Sequence, residues 1–488
     1  MKRNTRYLLL ILLTFSLLSC NEWIELQPPD GLVREEYWKT KEDVETLLMS
    51  AYETLASMDR TLFIHGEIRA DMVKGDDNQR TNEQLVAESN IYPDNSLCNW
   101  RDFYKVINSC NEVIKNAPEV QLIDNTFTDF QLQNLMAEAI FVRSLTYFYL
   151  VRIYKDVPLV LEPSESDNVD FYVEKSTEEE VLNHIIGDLD SYRLLAPNGN
   201  FTTVEENKGR ASKNAFEALL ADIYLWRFDY EKVIEHIELI EASGEYFLLP
   251  GGLWFELYYP GNSPESIFEL QFDGERNQRN STFELTFYLG EQYDPGQKAL
   301  ELFSFGFPRE LIRGENSSIR KHSDGDYIIW KYVGRAGDGK SFRSGNETQS
   351  CNWIIYRYAD ILLMKAEALS QLERYGEAQL LINQVRERAE VPTLALPNNP
   401  VAFEDAILEE RARELAFEGK RWFDLLRMGR RNGFARKSNL IEIIVANVPS
   451  TQKRIIAAKL SNPLGWYMPI YDSEIERNLN LEQNPFYN

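Results

Sequence analysis

The sequence predicts a mainly α-helical protein in which helix pairs are interrupted by one irregular, loop-rich insertion with short strands. Three observations support this fold class. Apolar residues recur at helical spacing in 41–58, in 211–240 and in 355–385. The last two stretches each divide into an Ala- and Leu-rich helix, a short turn near an aromatic residue and a second helix. Between them, from Pro250 to about Asn352, the composition shifts to Gly, Pro, Ser, Asn and aromatic residues, which interrupts the helical pattern.

The N-terminal helical part is predicted at about 36–245, and it begins with the amphipathic stretch 41–58. A later helix is marked by Ser176 and Glu179, which have the spacing of a capping box, and by Pro197 as a stop signal. The paired stretches that follow have small residues where helices would cross. They are similar to tetratricopeptide units, although they are not contiguous.

The insertion, at about 250–352, is predicted to consist of loops and short strands packed on the helices. SIFELQF (266–272) and STFELTFYL (281–289) have a strand-like composition. Irregular segments of this length in a compact protein are usually functional. A C-terminal helical part is predicted at about 353–488, so that residues 20–488 form a single domain.

Residues 1–19 are predicted to be a signal peptide. Three cations precede an apolar run that ends at Leu18 and is shorter than the roughly 20 residues needed to cross a bilayer. The LLSC sequence that ends at Cys20 resembles a bacterial lipobox, which implies cleavage before this cysteine and a lipid on its thiol. Lipidation would make the mature protein anchored to the membrane rather than membrane-spanning.

Composition argues against several classes of function. The 488-residue chain has a formal charge of -25, and loss of the three signal-peptide cations would bring it to -28. Such an acidic surface repels nucleic acid. Cys98, Cys110 and Cys351 are an odd set with no histidine near by, so neither a disulfide framework nor a zinc site is predicted. KGDDN (74–78) lacks the spacing of a calcium loop, and no metal or cofactor is predicted.

The most charge-rich stretch, ERARELAFEGKRWFDLLRMGR (410–430), is predicted to be scaffold. Within 408–426, apolar residues spaced alternately by four and three form one stripe of an amphipathic helix. Gly419 lies in this stripe, which indicates that another backbone or side chain approaches closely there. Neighbours of opposite charge are predicted to form exposed ion pairs worth about 0.2–0.5 kcal/mol each. These pairs are Glu409 with Arg413, Glu418 with Arg421, and Lys420 with Asp424.

Four separated motifs stand out along the chain: FVRSLTYFYLVRIYKDVPLVLEP (141–163), RYADILLMKAEALSQL (357–372), ERARELAFEGKRWFDLLRMGR (410–430) and WYMPIYDSEIERNLNLEQNPFYN (466–488). They resemble motifs of the SusD/RagB family of Bacteroidetes outer-membrane lipoproteins, and they occur in that family's order. EYWKTKEDVETLLMSAYETL (36–55), which follows Cys20, matches the family as well. The resemblance therefore covers residues 20–488.

The resemblance implies a cell-surface, nutrient-binding lipoprotein with a helical fold built on tetratricopeptide-like pairs. Such proteins cap a TonB-dependent outer-membrane transporter of the SusC/RagA type and deliver glycans, or in some members peptides, to it. The family is not catalytic, so no enzyme is expected. The expected location is the outer membrane, with an anchor on Cys20 and the protein facing the exterior. A periplasm-facing anchor stays open, because NEWIEL (21–26) lacks a run of acidic residues.

Two segments contain the aromatic and planar polar groups that a sugar or peptide site needs. The first, 65–100, lies between two predicted helices; in SusD-like proteins this region resembles a ligand-facing one, and Asp71 stands near a binding aspartate of several members. The second is the insertion, whose aromatic rings either stack on a sugar or pack against the helices. The candidates are Asp71, Lys74, Asp77, Asn78, Arg80, Tyr92 and Asn95 in the first segment, and Trp254, Tyr258, Tyr259, Trp330 and Tyr332 in the second.

Three functions from different classes are weighed. The leading one is capture of an oligosaccharide or polysaccharide nutrient, with peptide as the alternative ligand. The second is a tetratricopeptide-like adaptor that binds only protein. The third is a glycosidase with Glu414 and Glu418 as its carboxylates, but such a pair flanks the bound sugar and usually comes from different elements. No catalytic residue is therefore predicted.

Overall fold

The computed structural model describes residues 38–75, 81–164, 172–287, 293–322, 325–446 and 448–488. Within these ranges the chain is mainly α-helical, which confirms the predicted fold class. The helices of the N-terminal part are α1 (Lys41–Ala56), α2 (Asp59–Glu67), α3 (Asn82–Ala87), α4 (Arg101–Ile123), α5 (Asp129–Tyr154), α6 (Glu178–Tyr192), α7 (Val204–Gly209), α8 (Lys213–Trp226) and α9 (Tyr230–Ser243). The remaining helices are α10 (Thr282–Thr286), α11 (Gln297–Phe303), α12 (Tyr358–Gln371), α13 (Tyr375–Arg388), α14 (Pro400–Glu414), α15 (Arg421–Phe434), α16 (Lys437–Ala446), α17 (Lys453–Leu460) and α18 (Asp472–Arg477).

Two helix pairs correspond to the tetratricopeptide-like stretches. α8 packs on α9 and α12 packs on α13, and α9 in turn packs on α12. The two turns share one conformation, because their central residues, Phe228 and Glu373, have φ angles of 64° and 60°. Ala221 and Ala366 are fully buried, as expected where small side chains let helices approach closely. The pairs therefore form a continuous helical framework.

The strands are short and form four two-stranded antiparallel sheets in the described residues. β4, within the insertion, pairs with β8, which leads directly into α12, so this buried sheet joins the insertion to the helices. The pairs are β1 (Val73–Gly75) with β5 (Tyr293–Pro295), β2 (Val157–Pro158) with β3 (Lys175–Ser176), β4 (Ser266–Leu270) with β8 (Trp353–Arg357), and β6 (Ile319–Lys321) with β7 (Tyr327–Ile329).

The strand predicted at SIFELQF is confirmed as β4, but the one predicted at STFELTFYL is wrong. There the chain forms α10 instead. The backbone N–H of Ser281 donates to the Asp59 carboxylate, and that of Thr282 donates to Asn280 Oδ1 at 2.6 Å. Because side chains take up these donors, the segment starts a helical turn rather than a strand.

The capping box predicted at Ser176 and Glu179 lies one residue too early. α6 is capped by Thr177, whose hydroxyl accepts from the Glu180 N–H while the Glu180 carboxylate accepts from the Thr177 N–H. Ser176 is instead paired in β3, which occupies its backbone.

The continuous helix predicted over 408–426 is wrong. α14 ends at Glu414, α15 begins at Arg421, and in the turn between them Gly419 has a φ of 71°. The close approach predicted at Gly419 is confirmed, because a Cβ added to Gly66 of α2 would lie 2.0 Å from the Gly419 carbonyl oxygen. α2 and this turn are therefore in direct backbone contact.

Glu67 of α2 holds the same turn. Its carboxyl accepts hydrogen bonds from the N–H of Gly419 at 2.8 Å and of Lys420 at 3.3 Å. Burial raises the pKa of Glu67 to about 8. The Glu67 carboxyl group therefore fixes the turn from α2.

The charged side chains of 410–430 are mostly buried rather than exposed. The predicted ion pair of Glu409 with Arg413 is confirmed. The other two pairs are wrong, because their members bind other partners, most of them from other elements. Glu418 pairs with Arg357 and Lys331, Arg421 with Asp71, Lys420 with Asp360, and Asp424 with Arg411 and Arg427.

Two buried carboxylates form the centre of what we call the Glu414 cluster. Glu414 accepts from Arg313 at 2.9 Å, from Arg357 at 2.6 Å, and from Arg388. Burial alone would raise the pKa of Glu414, but the three guanidinium groups outweigh it and hold the pKa well below its usual value. The cluster consists of Glu414, Glu418, Arg313, Lys331, Arg357 and Arg388, and it ties the insertion to β8, α13 and α14.

No helix in the described ranges has both the length and the apolar character required to cross a bilayer.

The Glu414 cluster predicts a large stability loss when one cation is removed. In Arg357→Met, Glu265 and Glu418 each lose a buried partner, and we expect the free energy of unfolding to fall by about 3–5 kcal/mol. Urea denaturation measures this change. The matched control is Arg374→Met, which removes an exposed pair with Glu377 and should change little, because water screens that pair. Equal losses in the two variants would contradict the importance of the cluster.

Candidate functional site

The two segments predicted to face ligand meet where β1 pairs with β5. Lys74 stands opposite Asp294 in this ladder, and the Gly296 N–H donates to the Met72 carbonyl at 2.7 Å. α11 follows β5 directly and packs against β1. We use the name β1–β5 face for this sheet edge and the loop after α11. Its members are Lys74 and Asp294 of the ladder, Tyr327 of β7, which packs on β5, and Phe305 and Phe307 of the loop that starts at the contact of Ser304 with Tyr327.

Asp71, a predicted ligand contact, supports the β1–β5 face from its buried side. It is almost fully buried, and its two carboxylate oxygens accept from Arg421 Nε at 2.7 Å and Nη2 at 2.9 Å. Burial would raise the pKa of Asp71, but Arg421 outweighs it and lowers the pKa below the usual value. Because Asp71 lies two residues before β1, the ion pair positions the strand, and the carboxylate has no side open to a ligand in this structure.

The other candidates of the first segment are dispersed. Lys74 is exposed on β1. Asn95 is buried, where its Oδ1 accepts from the Leu97 N–H at 3.0 Å and its Nδ2 donates to the Asn82 carbonyl at 3.0 Å. Asn95 is thus a structural cap. Tyr92 is 49% exposed, with the Lys459 ammonium 5.9 Å from its ring centroid. Asp77, Asn78 and Arg80 lie outside the described residues.

Three aromatic candidates of the insertion are buried around Lys331. Trp254 and Tyr258 each place their ring centroid 5.1 Å from the Lys331 ammonium, and the Tyr258 hydroxyl donates to Glu418 at 3.1 Å. The Tyr332 hydroxyl donates to the Phe417 carbonyl at 3.0 Å. Their exposures are 3% or less, so they pack the insertion against the Glu414 cluster and offer no free face for stacking.

The same environment changes the titration of Lys331. Burial lowers the pKa of this ammonium to about 8, although Glu418 acts in the opposite direction. The Lys331 Nζ also donates to the Ala416 carbonyl at 2.8 Å. Its donors are used inside the protein, so it holds the insertion to the turn before α15.

Trp330 is also buried, under a small aromatic group. Phe287 and Phe342 lie 5.6 and 6.5 Å from its ring, and the Arg320 guanidinium lies 4.4 Å from it. Phe342 is the exposed member of this group, and the sequence did not single it out. Trp330 therefore supports other rings and is not itself available for stacking.

Tyr259 is the aromatic candidate of the insertion that keeps part of its ring in solvent. The Arg343 guanidinium lies 5.3 Å from the ring centroid, on the protein side. Arg343 is buried and donates to the Phe255 carbonyl at 3.3 Å, which fixes it under the tyrosine. Tyr259 is thus an oriented, half-exposed ring.

The most exposed rings of the insertion were missed by sequence reasoning. Phe305 is 69% and Phe307 is 96% exposed, in the loop that follows α11. The loop is held at its start, where the Ser304 and Tyr327 hydroxyls lie 2.6 Å apart. Gly306 and Pro308 around Phe307 were the available signal, because such residues mark a turn that exposes its side chains. Exposed rings on a fixed loop are suited to ligand contact.

The carboxylates of the glycosidase alternative are not arranged for catalysis. Glu414 and Glu418 are almost completely buried, and both are held as anions by several cations. A general acid needs a raised pKa and access to the substrate oxygen. This pair has neither, so the glycosidase assignment to Glu414 and Glu418 is excluded.

Two family models match the chain. One, described as the SusD family, matches residues 313–487. The other, described as starch-binding and associating with the outer membrane, matches residues 22–225. A SusD-like protein of Formosa agariphila is 28% identical over 533 aligned residues, which cover 99% of each chain.

Solved structures share the fold. A SusD superfamily protein of Bacteroides vulgatus has a TM-score of 0.75 at 23% identity, with coverage of 92% of this chain and 100% of that protein. A structure described as a laminarin-binding SusD-like protein has a TM-score of 0.72 at 21% identity, with coverage of 92% and 100%. These likenesses extend over the helical framework and the insertion alike.

The geometry predicts that Asp71 acts through Arg421. Asp71→Asn should lower the free energy of unfolding by about 3 kcal/mol, because Arg421 is left buried without its anion. In the double variant Asp71→Asn/Arg421→Gln the losses should fall short of additivity by more than about 1 kcal/mol. Urea denaturation of the three variants measures this coupling. Additive losses would show that Asp71 and Arg421 are not coupled, and therefore that their ion pair does not support β1.

Proposed function

The chain belongs to the SusD family, and from this premise we propose that it captures a glycan outside the cell and delivers it to a TonB-dependent outer-membrane transporter of the SusC type. The family description itself refers to starch binding and to association with the outer membrane. Within the family the protein acts by binding, and the glycan leaves the site chemically unchanged.

The observation that carries this proposal is that the two predicted ligand-facing segments come together at the β1–β5 face. The pairing of β1 with β5 brings the predicted segment 65–100 beside the insertion. Phe305 and Phe307 supply exposed rings for stacking on sugar, and Lys74 supplies hydrogen-bond donors. Asp77, Asn78 and Arg80, which directly follow β1 in the sequence, stay candidates for the planar polar contacts.

The rigid base beneath the face supports the same function. Asp71, Arg421 and the Glu414 cluster hold both β1 and the insertion, so the exposed groups project from a fixed frame. A preorganised site loses less conformational entropy when it binds. Capture of dilute nutrient benefits from this arrangement.

Lipidation of Cys20 would keep the protein at the membrane beside its transporter. We expect a Cys20→Ala chain, expressed with its signal sequence, to move from the outer-membrane fraction to the soluble extracytoplasmic fraction. Immunoblots of the fractions measure this. Membrane retention of the variant without detergent would contradict the lipid anchor.

Glycan capture is tested by replacing the most exposed ring. Isothermal titration should show that the protein binds at least one member of a panel that contains laminarin, starch, xylan and cellulose oligosaccharides; laminarin is included because of the laminarin-binding relative. Phe307→Ala should weaken that binding roughly tenfold, the loss typical of one aromatic anchor. Chromatography should recover the glycan at its original length.

Phe130→Ala is the matched control, since it removes an exposed phenylalanine from α5 and should leave the affinity unchanged. Equal affinities of the two variants would place the ligand away from the β1–β5 face. A wild-type protein that binds none of these glycans but copurifies with the transporter would favour the adaptor function, and shortened glycan would show an enzyme.

A further inference from the structure

A trough with two adjoining lobes runs beside β4 and shares no lining residue with the β1–β5 face. The first lobe has a volume of about 340 Å³, and Tyr259 and Asn352 are among its lining residues. The second has a volume of about 610 Å³ and extends to α1. The two lobes lie side by side, because five residues line both: Glu205, Gln271, Phe272, Arg276 and Gln278. Each lobe has the size of a small-molecule site.

The first lobe is lined by a fixed network of amides. Asn262 and Gln271 exchange hydrogen bonds, with Gln271 Nε2 donating to Asn262 Oδ1 at 2.9 Å and Asn262 Nδ2 donating to Gln271 Oε1 at 3.1 Å. Asn352 donates to Gln271 Oε1 at 3.0 Å and accepts from the Phe272 N–H at 3.0 Å. Beyond these bonds Asn262 keeps the capacity to donate one further N–H and to accept one further hydrogen bond at Oδ1, which matches the neighbouring hydroxyls of a sugar.

A buried carboxyl group lies behind these amides. Glu269 is fully buried, its Oε1 accepts from Asn352 Nδ2 at 3.1 Å and from the Asn262 N–H, and its Oε2 has no partner in the described structure. Burial raises the pKa of Glu269. Glu269 therefore supports the amide network from its buried side. The half-exposed Tyr259 ring lines the same lobe.

The second lobe combines an apolar floor with polar walls. The floor is formed by Met49, Tyr52, Ala56, Leu270 and Phe272. Tyr52 is fixed, because its hydroxyl donates to Glu138 at 3.1 Å and accepts from the Ala211 N–H at 3.0 Å. The apolar faces of sugar rings lie well on such a floor, while Gln278 and Asn277 of the wall can reach their hydroxyls.

We propose that this trough is a second glycan-binding site, which holds an extended neutral chain with sugar rings in both lobes. This inference rests on the proposed function only for the class of ligand, because the residues that line the trough differ from those of the β1–β5 face. A chain that fills both lobes gains affinity over one that fills a single lobe, because the second contact is made within an existing complex.

The charges of the trough favour a neutral chain over a polyanion. Four carboxylates line the first lobe against the single cation Arg276, namely Glu205, Asp273, Glu275 and Glu347. In the second lobe the charges are balanced, with Glu53, Glu205 and Glu206 against Arg210, Arg276 and Arg279, so the trough as a whole is acidic because of its first lobe. Uronic acid or sulfated chains would meet this excess of carboxylates at short range and be repelled. Neutral chains meet no such barrier.

The test uses the full mature chain and neutral laminari-, malto-, cello- and xylo-oligosaccharides of two to six units, with hexagalacturonate as the polyanion. In the Phe307→Ala background, which weakens the β1–β5 face, we expect residual binding that strengthens roughly tenfold from disaccharide to hexasaccharide. Ala56→Trp should fill the second lobe and abolish this gain, while Ala56→Ser should preserve it. Tyr259→Ala should remove the remaining binding, and Tyr259→Phe, which keeps the ring, should retain it.

Thermal melting curves identify any variant that is misfolded. If Ala56→Trp or Tyr259→Ala is misfolded, titration of its conservative counterpart, Ala56→Ser or Tyr259→Phe, decides instead. Unchanged titrations in Ala56→Trp and Tyr259→Ala would overturn the second site while leaving capture at the β1–β5 face intact. Loss of binding in Ala56→Trp and Tyr259→Ala, together with unchanged binding in Phe307→Ala, would overturn the β1–β5 face and support the trough. Tighter binding of hexagalacturonate, or of a peptide digest, would overturn the ligand class, and no binding to wild type would overturn both sites.

Discussion

A buried carboxyl group that is kept ionised must be matched by cations at hydrogen-bonding distance, and Glu414 imposes this constraint on the elements around it. Its cations come from three places, Arg313 in the insertion, Arg357 at the end of β8 and Arg388 in α13. Each of these elements must keep its position for the charge to stay compensated. The insertion is irregular in secondary structure, but its base is consequently fixed as firmly as a helix in the framework.

Around this base, the buried aromatic side chains support the structure, and the exposed ones are those that we propose for ligand binding. The aromatic side chains that look most suitable for ligand, Trp254, Tyr258 and Tyr332, are used to seal the cluster from water. The groups that we propose for ligand recognition lie on the outside, among them Phe307 on its loop and Tyr259 in the trough. The two proposed glycan sites thus stand on one rigid body, so that a long chain and a shorter one meet surfaces of fixed geometry.

Periodicity was sufficient to predict the helical framework, the paired helices and the location of the irregular insertion. It also indicated the close approach at Gly419, although not the turn in which this glycine lies. Two of the three ion pairs are mispredicted, because sequence spacing reveals neighbours one helical turn away, whereas Arg421 binds Asp71, 350 residues distant in the sequence. The candidate site was predicted only by segment. Whether a ring such as Trp330 or Phe307 faces solvent depends on tertiary packing, which one sequence does not display.

The contact of Gly66 with Gly419 has a further consequence for how such a protein diversifies. Backbone rests on backbone there, so the main chain limits how closely α2 and the turn before α15 approach, and the Glu67 side chain holds the turn in that place. β1 begins six residues after α2, so the strand starts close to this contact in the sequence. A side chain added at Gly66 would accordingly push α2 and the turn apart and displace the strand that follows α2, so this contact limits which substitutions the framework tolerates.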